Sequence, residues 1–379
     1  MPTRGRASSR GPLRFLFTAQ GWPYLLTPFI PLAVALELAH ASAGITFGVA
    51  AAGIIPTAAL MGLATEELAV RTGPGMGGFL NVTFGNAPEL IIALFALNEG
   101  LHEVVKASII GSILGNILLV LGAAMLVGGI PRDRQRFNAT AANVQSLMLF
   151  LAAGALVMPA IFELVEGQGL PSPGAELVEY DDKVEQLSLA VALVLLGTYA
   201  AGLLFSLRTH RALFNPPHSE PEETTFGWSV RRSVAMLAVA GVAVGVMSEI
   251  LVGSLAEASE AVGLSEFFIG VIVVAIVGNA AEHWVAVLMA HKDKMDLAVN
   301  IGIGSSAQVA LFVAPVLVLA SFVLGPEPLA LVFNGFELGA VLLAVLVANY
   351  VTHEGESTWF EGVQLLALYA ILGLAFFFA

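Results

Sequence analysis

The chain contains no cysteine. That absence excludes disulfides, iron–sulfur clusters, thiolate zinc sites and cysteine nucleophiles, and it leaves the redox compartment open. Charge is scarce too, with Asp, Glu, Lys and Arg together making up only 12% of the residues. Soluble domains carry about twice that share, so the usual water-facing surface is missing. Basic residues are the scarcer sign, 16 against 29 acidic ones for a net charge of −13, and they form no stripe suited to a nucleic acid. What fills the chain is apolar, with 57% of its residues hydrophobic, a mean hydropathy of +0.86 and 39 glycines. The expected class is an all-α integral membrane protein whose partner is the lipid bilayer.

A membrane helix needs about 20 apolar residues to cross roughly 30 Å of hydrocarbon. Such segments fall at 23–41, 44–69, 77–98, 104–129, 139–162, 184–207, 229–253, 266–290, 296–323, 328–350 and 359–379. Cytoplasmic loops retain Lys and Arg, which fixes an orientation for these eleven. Arg4, Arg6, Arg10 and Arg14 precede the first segment, Arg71 follows the second, and Arg132, Arg134 and Arg136 follow the fourth. Arg208, Arg211, Arg231 and Arg232 lie between the sixth and seventh, and Lys292 and Lys294 follow the eighth. With eleven helices all of these share one face, and only Lys106 and Lys183 fall opposite. The expectation is a multi-pass protein with a cytoplasmic N-terminus, in the inner (plasma) membrane if the source is prokaryotic. Small residues at Ala39-His40-Ala41 after an apolar run also match a cleavable signal peptide, although Glu37 and the prolines interrupt that run.

One motif is written twice. GNAPE at 85–89 returns as GNAAE at 278–282, and Gly111-Ser112 returns as Gly304-Ser305, every match displaced by the same 193 positions. Two pentads, each followed at a fixed interval by Gly-Ser, indicate a duplication. The pentads lie five segments apart, so the copies cross the membrane in opposite directions, as in many secondary transporters. The expected organisation is a basic N-terminus and first helix over 1–43, a first five-helix repeat over 44–207, a linker over 208–228 and a second, inverted five-helix repeat over 229–379.

The pentads carry chemistry suited to the middle of such a fold. Asn86 and Glu89 are three residues apart, hence on one helical face, and Asn279 and Glu282 repeat the arrangement. A carboxylate at mid-bilayer costs about 2.5–3.5 kcal/mol on insertion scales, which argues against idle placement. Two carboxylates with two amide oxygens suit a hard divalent cation, and flexible coordination favours Ca²⁺ over Mg²⁺. Ser112 with Asn116, and Ser305 with Gln308, add oxygens at helical spacing among Gly111, Gly115, Gly302 and Gly304. For the serines, ordinary helix–helix hydrogen bonding is an open alternative. Pro88 removes an amide from the helix and favours a kink beside Glu89, which Ala281 does not.

The paired stretches GNAPELIIALFAL with GSILGNILLVLG, and GNAAEH with GSSAQVALFVAP, resemble the two signature repeats of the Ca²⁺/H⁺ exchangers, the cation/proton branch of the calcium/cation antiporter superfamily. The resemblance extends from about Thr46 to the end. It implies an eleven-helix antiporter with Glu89 and Glu282 as alternating cation and proton sites. It implies also that Asn86, Asn279, Ser112, Asn116, Ser305 and Gln308 line the site, and that the second and seventh helices slide to gate it. His283 matches a histidine of the family and is expected to serve gating or proton access. Pro88 stands where the family more often has a small or hydroxyl residue. No resident cofactor is implied, since Ca²⁺ and H⁺ are cargo, and Mn²⁺ or Na⁺ as further cargo and the oligomeric state stay open.

The linker at 216–223 and Glu66 and Glu67 at the end of the second segment read as solvated. The loop with Glu176, Glu179, Asp181 and Asp182 reads equally as a solvated face or as an attractor of cations, and a guard of an access path among Glu66, Glu67 and Glu249 is an open alternative. The rivals are a Na⁺/Ca²⁺ exchanger of the same fold, a cation channel and an intramembrane enzyme. No H-E-x-x-H follows Glu282-His283, whose next histidine is His291, and no G-x-S-G surrounds Ser305, so no protease chemistry is expected.

Overall fold

The structure, a computed structural model, describes residues 18, 21–72, 74–167, 169–174, 178–210 and 226–379. Arg4, Arg6, Arg10, Arg14, Arg211, Glu176 and the acidic linker at 216–223 lie outside the described residues. Thirteen helices carry the fold here: α1 (Trp22–Leu38), α2 (Ala43–Thr72), α3 (Pro74–Gly85), α4 (Ala87–Asn98), α5 (His102–Gly129), α6 (Ala139–Glu166), α7 (Asp182–Thr209), α8 (Val230–Gly253), α9 (Leu255–Val262), α10 (Glu266–His291), α11 (Met295–Ser321), α12 (Gly335–Thr352) and α13 (Trp359–Phe378). Two short strands, β1 (Gln135–Arg136) and β2 (Glu356–Ser357), pair antiparallel.

Nine of these helices are long and apolar enough to cross a membrane, and α3 with α4 makes a tenth if the bent pair counts as one span. α1 is shorter, a 3₁₀ turn over Trp22–Leu26 leading through Pro28 into ten α-helical residues. Large apolar side chains such as Leu147, Phe150, Leu151, Val194, Val242 and Leu346 face outward, the pattern of a chain solvated by lipid. The multi-pass membrane character expected from composition holds.

Burial identifies the centre. The spanning windows of α5 and α11 are 83% and 72% buried, against 17–56% for the other spans, so these two helices form the axis around which the rest pack. Along α5, Ile109, Ile110, Ile113, Ile117, Leu118 and Leu121 are almost wholly inaccessible. Glycine permits the closest approaches: a Cβ on Gly111 would stand 2.8 Å from the Ala275 Cβ of α10, and one on Gly302 would stand 3.0 Å from the Asn116 carbonyl of α5. Both α5 and α11 depart from regular α-helix, α5 through a π-helical turn at Gly115–Val120 and α11 through two, Asn300–Gly304 and Val309–Val313. Such turns free carbonyls and recur at functional sites.

Two segment boundaries differ from expectation. The run expected as one helix over 77–98 is broken at Asn86, with a bend of 42°. Pro88, in the first turn of α4, supplies no amide to the preceding turn, which accounts for the break. The run expected as a helix from 328 is not helical before Gly335, and its Leu329, Leu331, Val332 and Phe333 are nonetheless buried. Side chains take over the backbone bonding that a helix would provide: Leu329 donates to Ser321 Oγ at 2.7 Å, Leu331 to Ser188 Oγ at 3.0 Å, and Lys106 Nζ donates to the Val332 carbonyl at 3.0 Å. Lys106 also pairs with Glu103 at 2.8 Å, both side chains being buried. Asn334 and Glu337 then form a reciprocal capping box that starts α12.

At the other end, Arg132 donates to the Gly128 and His291 carbonyls and pairs with Asp293 at 3.1 Å, tying the ends of α5 and α10 together. A hydrogen bond from Arg134, with the nearby Arg136 charge, holds the Glu356 carboxyl below its usual range and fastens β1 to β2. Glu67, expected to be solvated, is buried instead. Its carboxylate accepts from the backbone amides of Phe226 and Trp228, binding the end of α2 to the chain entering α8.

Candidate cation site

The break at Asn86 determines what the first pentad presents. Asn86 sits between α3 and α4 with φ −98° and ψ 19°, its carbonyl accepting from Leu90 and its side chain making no cap. Glu89 therefore falls in the first turn of α4, where the helix dipole favours an anion. The second pentad lies in unbroken helix within α10.

Pairs form across the two halves. Asn86 Nδ2 donates to Gln308 Oε1 at 2.6 Å, Asn279 Nδ2 to Ser112 Oγ at 3.2 Å, and His283 Nε2 to Asn116 Oδ1 at 3.2 Å. Asn279 Nδ2 also donates to the Ala275 carbonyl at 2.9 Å, and Ser305 Oγ donates to Glu282 Oε2 at 3.2 Å. Beside Ser305, the Ser306 hydroxyl donates to Gly302 at 2.7 Å and lies 3.4 Å from the Ile113 carbonyl of α5. The glutamates interlock: a Cβ on Gly278 would stand 3.4 Å from Glu89 Cγ, and a Cβ on Gly85 would stand 3.4 Å from Glu282 Oε1. Each pentad's glycine faces the other pentad's glutamate.

Of the nine residues singled out from sequence, eight form four pairs, Asn86 with Gln308, Asn279 with Ser112, His283 with Asn116 and Ser305 with Glu282, where α4, α5, α10 and α11 meet, and Glu89 lines a cavity there beside Ser112. These hydrogen bonds leave three acceptors and one donor, Asn116 Nδ2, without a partner among the described residues. Asn86 Oδ1, Glu89 Oε2 and Asn279 Oδ1 are buried without a partner among the described residues. Asn86, Ser112, Asn116 and Asn279 are each at most 3% exposed, so water does not satisfy them as it would at a surface. Buried acceptors without donors, two of them amide and one carboxylate, form an environment that favours a positive charge. Among the described residues no group of three or more His, Cys, Asp or Glu side chains forms a metal cage, so a cation here would rely on amide and hydroxyl oxygens beside the two carboxylates.

Sequence reasoning missed Ser108. Together with Glu89, Ile92, Ala93, Ile109, Ser112, Val274, Ala275, Val309 and Val313 it lines a cavity of about 10 Å³ against Glu89. The signal was present, since Ser108 lies four residues before Ser112 and hence on the same helical face.

The profile of the sodium/calcium exchanger protein family matches residues 42–208 and 232–378. The Ca(2+)/H(+) antiporter of Synechocystis sp. is 44% identical over 374 residues, covering 93% of this chain and 96% of its own. The Ca(2+)/H(+) antiporter ChaA of Bacillus subtilis is 44% identical over 356 residues, covering 93% and 97%. Among solved structures, native YfkE aligns with a TM-score of 0.79 and 39% identity over 94% of this chain and all of its own.

Proposed function

Because the chain belongs to the sodium/calcium exchanger protein family, and its similar relatives bear the name of Ca²⁺/H⁺ antiporters, we propose that it exchanges Ca²⁺ for protons across a membrane by alternating access. The observation that carries this reading is the set of orphaned acceptors, Asn86 Oδ1, Glu89 Oε2 and Asn279 Oδ1, contributed by both pentads. Glu89 and Glu282 hold the cation as carboxylates, with oxygens of Asn86, Asn279, Ser112, Asn116, Ser305 and Gln308 around it. Protons displace the cation from the same two carboxylates, and His283, bonded to Asn116, borders the proton route.

Coupling follows from that competition. Cation binding requires both carboxylates to be charged, and their protonation removes the attraction that held the cation. Two carboxylates suit two protons per Ca²⁺. In this reading the chain comprises eleven membrane segments, the helix at 1–43 followed by repeats at 44–207 and 229–379 that run inverted to one another, joined by the linker at 208–228. The N-terminus and the face bearing Arg71, Arg132 and Lys292 are cytoplasmic. The reciprocal packing of Gly85 on Glu282 and Gly278 on Glu89 supports the inversion, since a two-fold relation predicts such an exchange of contacts.

The test is purified protein in vesicles with an imposed pH gradient, assayed against Ca²⁺, Mn²⁺, Mg²⁺, Na⁺ and K⁺. Ca²⁺ uptake driven by the proton gradient without Na⁺ is the expected outcome. Uptake that requires Na⁺ would assign the Na⁺/Ca²⁺ exchange of other members of the fold, and Ca²⁺ flux without proton counter-movement would assign a channel.

A further inference from the structure

The cavity against Glu89 is small and mostly apolar, with three polar side chains among its lining. Its volume of about 10 Å³ corresponds to roughly one water. Ile92, Ala93, Ile109, Ala275, Val274, Val309 and Val313 line it together with Glu89, Ser108 and Ser112, whose side chains carry its oxygens. A buried water requires two to four polar partners as well as space, and three are present.

Their bonding leaves the right capacity. Ser108 Oγ donates to the Val105 carbonyl at 2.8 Å, so its lone pairs remain to accept. Ser112 Oγ accepts from Asn279 Nδ2, so its own hydrogen remains to donate. Glu89 Oε2 has no partner among the described residues. A water that donates to Glu89 and Ser108 and accepts from Ser112 satisfies all three at once. The position 193 residues beyond Ser108 is Ile301, so the second repeat carries no corresponding hydroxyl.

We propose that Glu89, Ser108 and Ser112 hold a single structural water in this cavity, and that Ser108 is a positioning residue that fixes the Glu89 carboxylate through it. The inference rests on the exchange function proposed above for what the positioning achieves, but not for the water itself. By orienting Glu89 before the cation arrives, the water lowers the ordering cost of binding on the first-repeat side. Glu282 reaches the same end differently, through its direct bond from Ser305.

Ser108→Thr and Ser108→Val provide the decisive comparison, because the two side chains have the same shape and differ in one hydroxyl. Ca²⁺ uptake into vesicles should show up to about tenfold weaker apparent Ca²⁺ affinity in the Val variant than in the Thr variant, the scale of one lost hydrogen bond, with maximal rates within about twofold. Equal affinities in the two variants would overturn the role given to Ser108. Should both added methyl groups prevent folding, Ser108→Ala against wild type makes the same comparison, with weakened affinity supporting the proposal and unchanged affinity overturning it. A high-resolution map of the wild-type protein should contain density within hydrogen-bonding distance of all three oxygens, and its absence would overturn the water. That map stands whether or not the wild type exchanges Ca²⁺ for protons, so failure of the function and failure of the water are read separately.

Discussion

Asn86 and Gln308, 222 positions apart, are joined by a 2.6 Å hydrogen bond in which the Asn86 amide nitrogen donates to Gln308 Oε1. The bond turns the nitrogen of Asn86 toward α11 and leaves its oxygen unpartnered among the described residues. Gln308→Ala should therefore weaken apparent Ca²⁺ affinity about tenfold through loss of that orientation, with less effect on maximal rate. Uptake measured against Ca²⁺ concentration checks it.

Glu89→Gln and Glu282→Gln should each abolish proton-driven Ca²⁺ flux while leaving the fold intact. The amide keeps the volume and removes the charge that both cation and proton require. Flux in vesicles and thermal unfolding in detergent separate the two effects, and near-normal flux from either variant would contradict a two-carboxylate mechanism.

Apparent Ca²⁺ affinity should weaken as pH falls, because proton and cation occupy the same oxygens and binding the cation releases protons. The sign is fixed by that competition. An affinity that stays flat across about pH 6 to 8.5 would contradict it.

Gly111→Ala should destabilise the protein by about 1–3 kcal/mol, as overpacking does. The new Cβ would fall 2.7 Å from the Val271 carbonyl carbon and 2.8 Å from the Ala275 Cβ, with backbone that has no room to yield. Gly154→Ala, in α6 with nothing within 4 Å, is the control and should leave the unfolding temperature unchanged or slightly raised.

Glu99→Cys and Lys292→Cys should label from opposite faces of the membrane. Each introduced thiol is unique, and the two positions directly follow the pentad helices α4 and α10. An impermeant reagent reaching both from one side would mean that the repeats run parallel.

The four pentad residues of the candidate site were legible from the repeat. Pentads displaced by 193 positions picked out Glu89 with Glu282, and Asn86 with Asn279, because an intramembrane carboxylate is costly enough that two at matching positions demand a common reason. Helix positions followed from hydropathy, which is strong over 20 residues. Hydropathy fails where an apolar run is buried without being helical: residues 329–333 read as the start of a span, yet the serines that replace their helical hydrogen bonds, Ser188 and Ser321, come from other segments. Glu67 was misread for a related cause. Its partners, the amides of Phe226 and Trp228, lie more than 150 positions away and carry no side-chain signature. The pairing of Asn86 with Gln308 rather than with Ser305 was equally hidden, since spacing gives the face of a helix and not its neighbour across the bundle.

The Ser306 hydroxyl lies 3.4 Å from the carbonyl of Ile113, 193 positions away, the same interval that relates the two pentads. Under the proposed duplication each touches its own copy. In an object built from two like halves, a part can meet its counterpart only on the line about which the halves are exchanged, so α5 and α11 cross there. A pocket on that line cannot be duplicated along with the gene that encodes it. Under the proposed duplication the ligands are doubled but one place is left for cargo, so neither half would be a transporter in miniature, and each would supply one wall of a chamber that exists only when both are present.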